Sequence, residues 1–236
     1  MKLKLVERLH GFRLIIFDMD GTLVDSQHHI VSAMGEAFGG VGLPPPDGEA
    51  VRQIVGLTLE DAFLRLAPAD TPLSVHQELQ VLFKRAAIAQ RDVPGYQEPL
   101  YEGAREIIHQ LDLPDVCLGI ATGRPRRGVD FSLALHKLEN RFVTIQTVDS
   151  NPGKPHPGMV QQAMAETGAD PEETVVIGDT SYDMMMARAA GAAAIGVTWG
   201  YHAEEALLSA GAQVLAREMA ALPAILAGFR RIGSCA

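Results

Sequence analysis

Short apolar runs alternate with longer stretches of helical periodicity over the second half of this chain. Val116 to Ala121, Val143 to Val148, Thr174 to Ile177 and Ala193 to Val197 have the length and character of strands buried on both faces. Between them, Gly103 to Leu111, Arg127 to Leu138, Gly158 to Thr167 and Tyr182 to Ala190 carry apolar residues at helical spacing. Strands alternating with helices predict an α/β fold with a parallel, doubly wound sheet. The apolar run beginning at Leu14 predicts an earlier strand. Ala212 to Leu215 predicts a short last one, ahead of a closing helix around Met219 to Leu226.

Residues 26 to 93 break that rhythm. His28 to Phe38 is helical in pattern, Gly39 to Pro46 is turn punctuation, and helices are predicted near Glu49 to Ile54, Leu59 to Leu66 and Ser74 to Arg91. No strand pattern lies among them. Val93-Pro94-Gly95, then Pro99 to Gly103, mark the return to alternation. A helical block inserted after the first strand and flanked by Gly/Pro turns is most simply a small lid. The alternative is a fixed helical wing packed on the sheet.

Composition narrows the classes. A chain of 236 residues, 47% hydrophobic, can bury a sizeable core in one domain or one and a half. A net charge of −9 and a pI near 5.3 argue against nucleic acid as a partner. Two cysteines, Cys117 in an apolar run and Cys235 at the tail, are too few for a disulfide framework and point to a reducing compartment. Met1 to Gly11 carries bases without the apolar stretch of a signal peptide, and no segment approaches the length of a membrane span. The expectation is a cytoplasmic protein with no membrane or nucleic-acid partner.

Four polar punctuations fall at the C-terminal ends of predicted strands, the edge where open α/β sheets bind ligands. The first follows Leu14-Ile15-Ile16-Phe17, where Asp18 and Asp20 stand two residues apart and project toward one crevice. Like charges that close repel unless a cation or a shared proton separates them. The second is Thr122-Gly123-Arg124, a hydroxyl and a glycine amide at a helix start, suited to an anion. The third is Gly153-Lys154-Pro155-His156-Pro157, a lysine stiffened by prolines, and the fourth is Gly178-Asp179-Thr180-Ser181-Tyr182-Asp183. Each alone has a structural reading, since Asp179 and Asp183 also suit helix caps. Together they form a phosphoryl-transfer inventory. Asp18, Asp179 and Asp183 offer hard oxygen ligands suited to Mg2+, while Thr122, the Gly123 amide and Lys154 offer donors for phosphoryl oxygens. One carboxylate can act as nucleophile and another as general acid and base.

In that order and spacing the motifs resemble those of the haloacid dehalogenase superfamily. They are Asp18-Met19-Asp20-Gly21-Thr22-Leu23-Val24-Asp25-Ser26, Thr122, Lys154-Pro155-His156-Pro157, and Gly178-Asp179 with Asp183. The helical insert is similar to the C1 cap of the phosphoglycolate phosphatase-like branch. The resemblance implies a Rossmann-like core over residues 1–25 and 95–236 with a helical cap domain over 26–94. It implies Asp18 as nucleophile and magnesium ligand, and Asp20 as general acid/base whose backbone carbonyl also meets the metal. Thr122 and Lys154 would hold the phosphoryl group, and Asp179 and Asp183 would complete the metal site. Dehalogenases and phosphonate-cleaving relatives lack the second aspartate, so an O-phosphate is favoured. Thr122-Gly123-Arg124 replaces the commoner Thr-Asn-Lys, and Gly153 a frequent serine, which weakens any transfer of substrate identity.

The implied activity is a magnesium-dependent phosphatase acting on a small, phosphoglycolate-like monoester, as a monomer or homodimer. Rivals are a sugar phosphomutase, a pyrophosphatase or nucleotidase of the same fold, and a non-catalytic binding protein. Arg52, before the Gly56 turn, reads either as a substrate-facing guanidinium or as an exposed helix arginine. Arg124, Arg126 and Arg127 read as a positive rim or a solvated helix start. The expected packing roles are Cys117 as a packed thiol within its strand, Met184 to Met186 against the sheet, and Trp199-Gly200-Tyr201 as a structural loop near the cap. His28, His29 and His156 are not expected to share a metal.

Overall fold

The structure is a computed structural model that describes residues 11–229. Cys235 and most of the basic stretch at the start of the chain lie outside the described residues. The first strand, β1 (Leu14–Phe17), is followed by four helices, α1 (Gln27–Gly40), α2 (Gly48–Arg52), α3 (Leu59–Leu66) and α4 (Leu73–Arg91). Alternation then begins with α5 (Ala104–Leu111), β2 (Cys117–Thr122), α6 (Arg126–His136), β3 (Thr144–Thr147) and α7 (Gly158–Thr167). It continues through β4 (Thr174–Gly178), α8 (Ser181–Ala189), β5 (Ala193–Val197), α9 (Glu204–Ser209), β6 (Val214–Ala216) and α10 (Leu222–Gly228).

The six strands form one sheet in the order β3-β2-β1-β4-β5-β6, with every pairing parallel. This is the doubly wound order whose ligand crevice lies at the central switch point, where connections leave β1 and β4 in opposite directions. The α/β expectation is met. β1 shows why its sequence is apolar throughout. Side chains alternate across a strand, so Ile15 and Phe17 join the core on one face of the sheet while Leu14 and Ile16 join the core on the other. All four are fully buried, each such burial contributing roughly 1.5–3 kcal/mol.

The helices between β1 and α5 carry a third apolar cluster of their own. Met34, Ala37 and Phe38 of α1 meet Phe63 of α3 and Leu79 of α4, with the Phe38 and Phe63 rings 6.0 Å apart. Tyr182 of α8 joins this cluster from the sheet side; its hydroxyl donates to the Gln53 carbonyl at 3.0 Å and accepts from Arg65 at 2.7 Å. Among the described residues, no helix is long and apolar enough to cross a membrane.

Several element readings need correction. The closing helix divides into a 3-10 turn (Met219–Ala221) and α10, with Pro223 in the first turn of α10, where its missing N–H is harmless. Helix α9 has no counterpart in the sequence reading. Met184 and Met186 are buried, but Met185 is exposed, because three consecutive helical positions cannot share one face. Trp199 to Tyr201 packs on the first motif, with the indole N–H donating to the Thr22 carbonyl at 3.0 Å.

Candidate active site

The chain leaves β1 directly into Asp18-Met19-Asp20-Gly21. Met19 stays in the core, and the amides of Leu23 and Val24 both donate to its carbonyl at 2.9 Å, folding the segment into a tight loop. Gly21 has φ +83°, and a Cβ there would sit 2.1 Å from Asp179 Oδ2. Only glycine lets the first motif close on the fourth.

Asp18 is buried, and its Oδ1 meets the Lys154 ammonium at 2.7 Å. The same ammonium meets Asp183 Oδ1 at 2.7 Å. Oδ2 of Asp18 is buried without a hydrogen-bond partner. One oxygen each from Asp18, Asp179 and Asp183 lies within 4.8 Å of the others, and all three residues are buried. Asp179 is fixed by the Thr22 hydroxyl, which donates to Oδ1 at 2.7 Å, and by the Tyr201 amide, which donates to Oδ2 at 2.9 Å. Asp183 is both cap and cluster member. Its Oδ2 accepts from the Thr180 amide and hydroxyl in a capping box at the start of α8, which leaves Oδ1 to face Lys154. Asp183 thus caps a helix and at the same time stands in the carboxylate cluster.

Burial pushes the Asp18 carboxyl up to about 7; the Lys154 charge opposes this, and Asp183 and Asp20 add to it. Burial, then repulsion from Asp18 and Asp183, raises Asp179 well above the carboxylate range. For Lys154, burial favours the neutral amine, but Asp18 and Asp183 outweigh it and keep the group protonated. Three crowded carboxylates, one unpartnered oxygen and an all-oxygen donor set fit a hard divalent cation such as Mg2+.

Asp20 lies apart from this cluster. Arg124 donates to Oδ2 through Nε at 2.7 Å and to Oδ1 through Nη2 at 2.5 Å, while the Ser26 hydroxyl also donates to Oδ1. Burial works against ionisation here, yet Arg124 and then Ser26 prevail and hold the carboxyl below its usual range. Arg124 also meets Glu98 Oε1 at 2.8 Å, and the Ser132 hydroxyl donates to Glu98 Oε2 at 2.7 Å. The sequence reading of Arg124 as a rim or helix-start residue is thus corrected: its guanidinium is inside, bridging two buried carboxylates. Glu98 escaped the sequence reading altogether.

Thr122, at the end of β2, is fully buried and lines the same cleft as Asp18, Asp20 and Gly123. A Cβ on Gly123 would stand 3.3 Å from the carbonyl oxygens of Gly56 and Leu57, so the loop after α2 rests directly on this turn. Arg52 is not brought to the cleft. It pairs with Glu49 at 2.6 Å on the same short helix, because a partner three residues away lies within easy reach, and it does not line the cavity. His156 accepts from the Gly158 amide at 3.1 Å, and among the described residues no histidine belongs to a metal-holding cluster.

Residues 15–197 match the family described as haloacid dehalogenase-like hydrolase. The chain belongs to this family. It is 36% identical over 208 residues to the Dickeya dadantii protein named "Probable phosphatase IndB", covering 86% of this chain and 88% of that one. It is 30% identical over 196 residues to a phosphoglycolate phosphatase of Pseudomonas putida, covering 80% of this chain and 71% of that protein. Relatives named pyrophosphatase match over similar spans. A solved hydrolase structure from Pseudomonas syringae superposes with a TM-score of 0.80 at 27% identity, over 92% of this chain and 99% of that one. The family and its phosphoglycolate phosphatase-like branch are those the motifs pointed to.

Proposed function

We propose that the protein is a magnesium-dependent phosphatase that hydrolyses a phosphate monoester through an aspartyl-phosphate at Asp18. The observation that carries this reading is Asp18 Oδ2, a buried oxygen without a partner at the switch point of the sheet, beside a buried ammonium and two more carboxylates. The phosphatase names of the relatives support it. Asp18, Asp179 and Asp183 would hold the metal, with the Asp20 backbone carbonyl as the family resemblance implies. When bound, magnesium supplies the positive charge that lets an ionised Asp18 stand beside a phosphate dianion.

Oδ2 of Asp18 attacks phosphorus and the ester P–O bond breaks, its electron pair passing to the leaving oxygen. Lys154 has three donors and spends two on Asp18 and Asp183, so the third is available to a phosphoryl oxygen. The Thr122 hydroxyl and Gly123 amide serve the others. Asp20 then gives a proton to the leaving oxygen, and afterwards takes one from the water that attacks the aspartyl-phosphate, releasing phosphate and regenerating Asp18. Asp20 is held as a carboxylate by Arg124 and Ser26, so it must exchange those partners before it can carry a proton. The helices of residues 26–94 act as a cap over the core that the remaining described residues form, closing the cleft through the Gly56 to Thr58 loop.

Asp20→Asn tests the assignment. With p-nitrophenyl phosphate, whose leaving group needs no proton, the variant is expected to release one burst of p-nitrophenol and then stall, its phosphoryl adduct visible in the intact mass. Steady turnover on alkyl phosphates is expected to fall by about 10²–10⁴-fold. Undiminished steady turnover would remove Asp20 from the role given to it.

The metal assignment has a pH signature. A carboxyl raised from 3.8 to about 7 by folding stabilises the metal-free fold fully below the lower value, and that contribution is lost as pH rises through the upper one. Metal binding must displace the same protons. The gain in unfolding temperature on adding magnesium to chelator-treated protein is therefore expected to grow between about pH 5.5 and pH 8. A gain independent of pH, or none, would count against magnesium at these carboxylates.

A further inference from the structure

The cleft that opens from Asp18 and Asp20 is far larger than a phosphoryl group requires. It encloses about 370 Å³, a size typical of sites for whole organic ligands. Beyond the carboxylates its walls change character. Ile30 and Met34 of α1, Leu57 of the loop after α2, and Phe83, Ala87 and Ile88 of α4 line it. Lys84, Arg91, Arg124 and Arg127 also line it, but a two-carbon acid or a second phosphate would leave the apolar walls unfilled.

Two further observations define what would fit. Rings line the cleft as well: His29 and Tyr96 lie 4.5 Å apart between centroids with planes inclined by 34°, and Phe83 adds a third ring. Such surfaces favour a planar partner. In addition, three buried nitrogens on residues lining this cleft have no hydrogen-bond partner: Gln90 Nε2, Arg91 Nε and Arg124 Nη1. All three are donors, and buried donors are ordinarily satisfied. Of the acids that share the lining beyond the reaction centre, Glu60 is exposed, Glu98 is engaged by Arg124 and Ser132, and Asp149 by the Arg126 amide at 2.6 Å.

Resting on the phosphatase reading above, we infer that the substrate is a phosphate monoester whose alcohol carries a planar heterocycle with oxygen acceptors. Nucleoside 5′-monophosphates with keto-bearing bases have this build. The apolar walls take the faces of the ring, and the nitrogens of Gln90, Arg91 and Arg124 meet its oxygens. Phosphoglycolate and pyrophosphate offer oxygen acceptors but no ring to lie against the apolar walls.

The test is phosphate release with magnesium from uridine and inosine 5′-monophosphates, ribose 5-phosphate, phosphoglycolate and pyrophosphate. Acetyl phosphate serves as a reference whose leaving group does not fill the cleft. The kcat/KM for a keto-base nucleotide is expected to exceed those for ribose 5-phosphate and phosphoglycolate by at least about tenfold, the size of effect one well-filled apolar contact gives. Ala87→Trp, which fills the cleft, and Gln90→Leu are each expected to lower the nucleotide to acetyl phosphate ratio by about fivefold or more. Taking the ratio within each variant cancels any loss of folded protein. Phosphate from acetyl phosphate with ribose 5-phosphate, phosphoglycolate or pyrophosphate equal to or better than the nucleotides would overturn this inference alone, as would ratios unmoved in both variants. No phosphate from any compound would overturn the phosphatase reading and this inference with it.

Discussion

Asp18→Asn is expected to lower phosphate release by at least about a thousandfold, equivalent to roughly 4 kcal/mol of transition-state stabilisation, while leaving the protein folded. An amide oxygen at the position of Oδ2 cannot form the phosphoryl bond, so the loss should appear in kcat for every substrate. The stability effect has the opposite sign. Burial and the neighbouring Asp183 and Asp20 already resist ionisation of Asp18, and a neutral side chain removes that strain. Without metal at neutral pH, the variant should unfold at the same temperature as the parent or a higher one. Thermal unfolding with a chelator checks this. A variant that is inactive but markedly less stable would mean that Asp18 holds the fold rather than the chemistry.

Lys154→Ala is expected to do damage on both counts. The lysine is buried between Asp18 and Asp183, and removing it leaves two carboxylates facing each other without the cation that joins them. Breaking a buried ion pair from one side typically costs about 3–5 kcal/mol. That is roughly a 10 °C drop in unfolding temperature for a chain of this size. The deficit should shrink as pH falls, because protonating the carboxylates removes the charge that Lys154 balanced. Phosphate release should fall by about a hundredfold or more where the variant is folded, as for other lost donors to a developing charge. A metal-free variant as stable as its parent near neutral pH would end the claim that this ammonium neutralises the site.

Most strands were legible because each is an apolar run too short for a helix, and β5 was bounded to the residue, whereas β3 is Thr-Ile-Gln-Thr and was marked only by the valines that flank it. Helix α9 was not legible, since six residues of Glu-Glu-Ala-Leu-Leu-Ser give too little periodicity to separate from a loop. The four polar strand ends were legible because the doubly wound topology delivers every one of them to a single edge. Partner choice within the site was not. Arg52 and Arg124 each precede or follow a glycine turn, and local sequence treats them alike. One finds its carboxylate three residues away on its own helix, the other 104 residues away across the sheet. Glu98 was hidden for the same reason. It lies in the Pro/Gly return from the helical block, where nothing nearby marks a buried acid whose partners are Arg124 and Ser132.

Asp183 spends one oxygen on the first turn of α8 and the other on the ammonium of Lys154. The origin of a helix and the charge balance of a reaction centre are thereby tied to a single carboxylate. Fraying of that turn would free the carboxylate to swing, and the ammonium would lose its second counterweight at the same moment. Under the proposed mechanism the rigidity of α8 becomes an electrostatic component of the reaction, passed to the substrate through one ammonium.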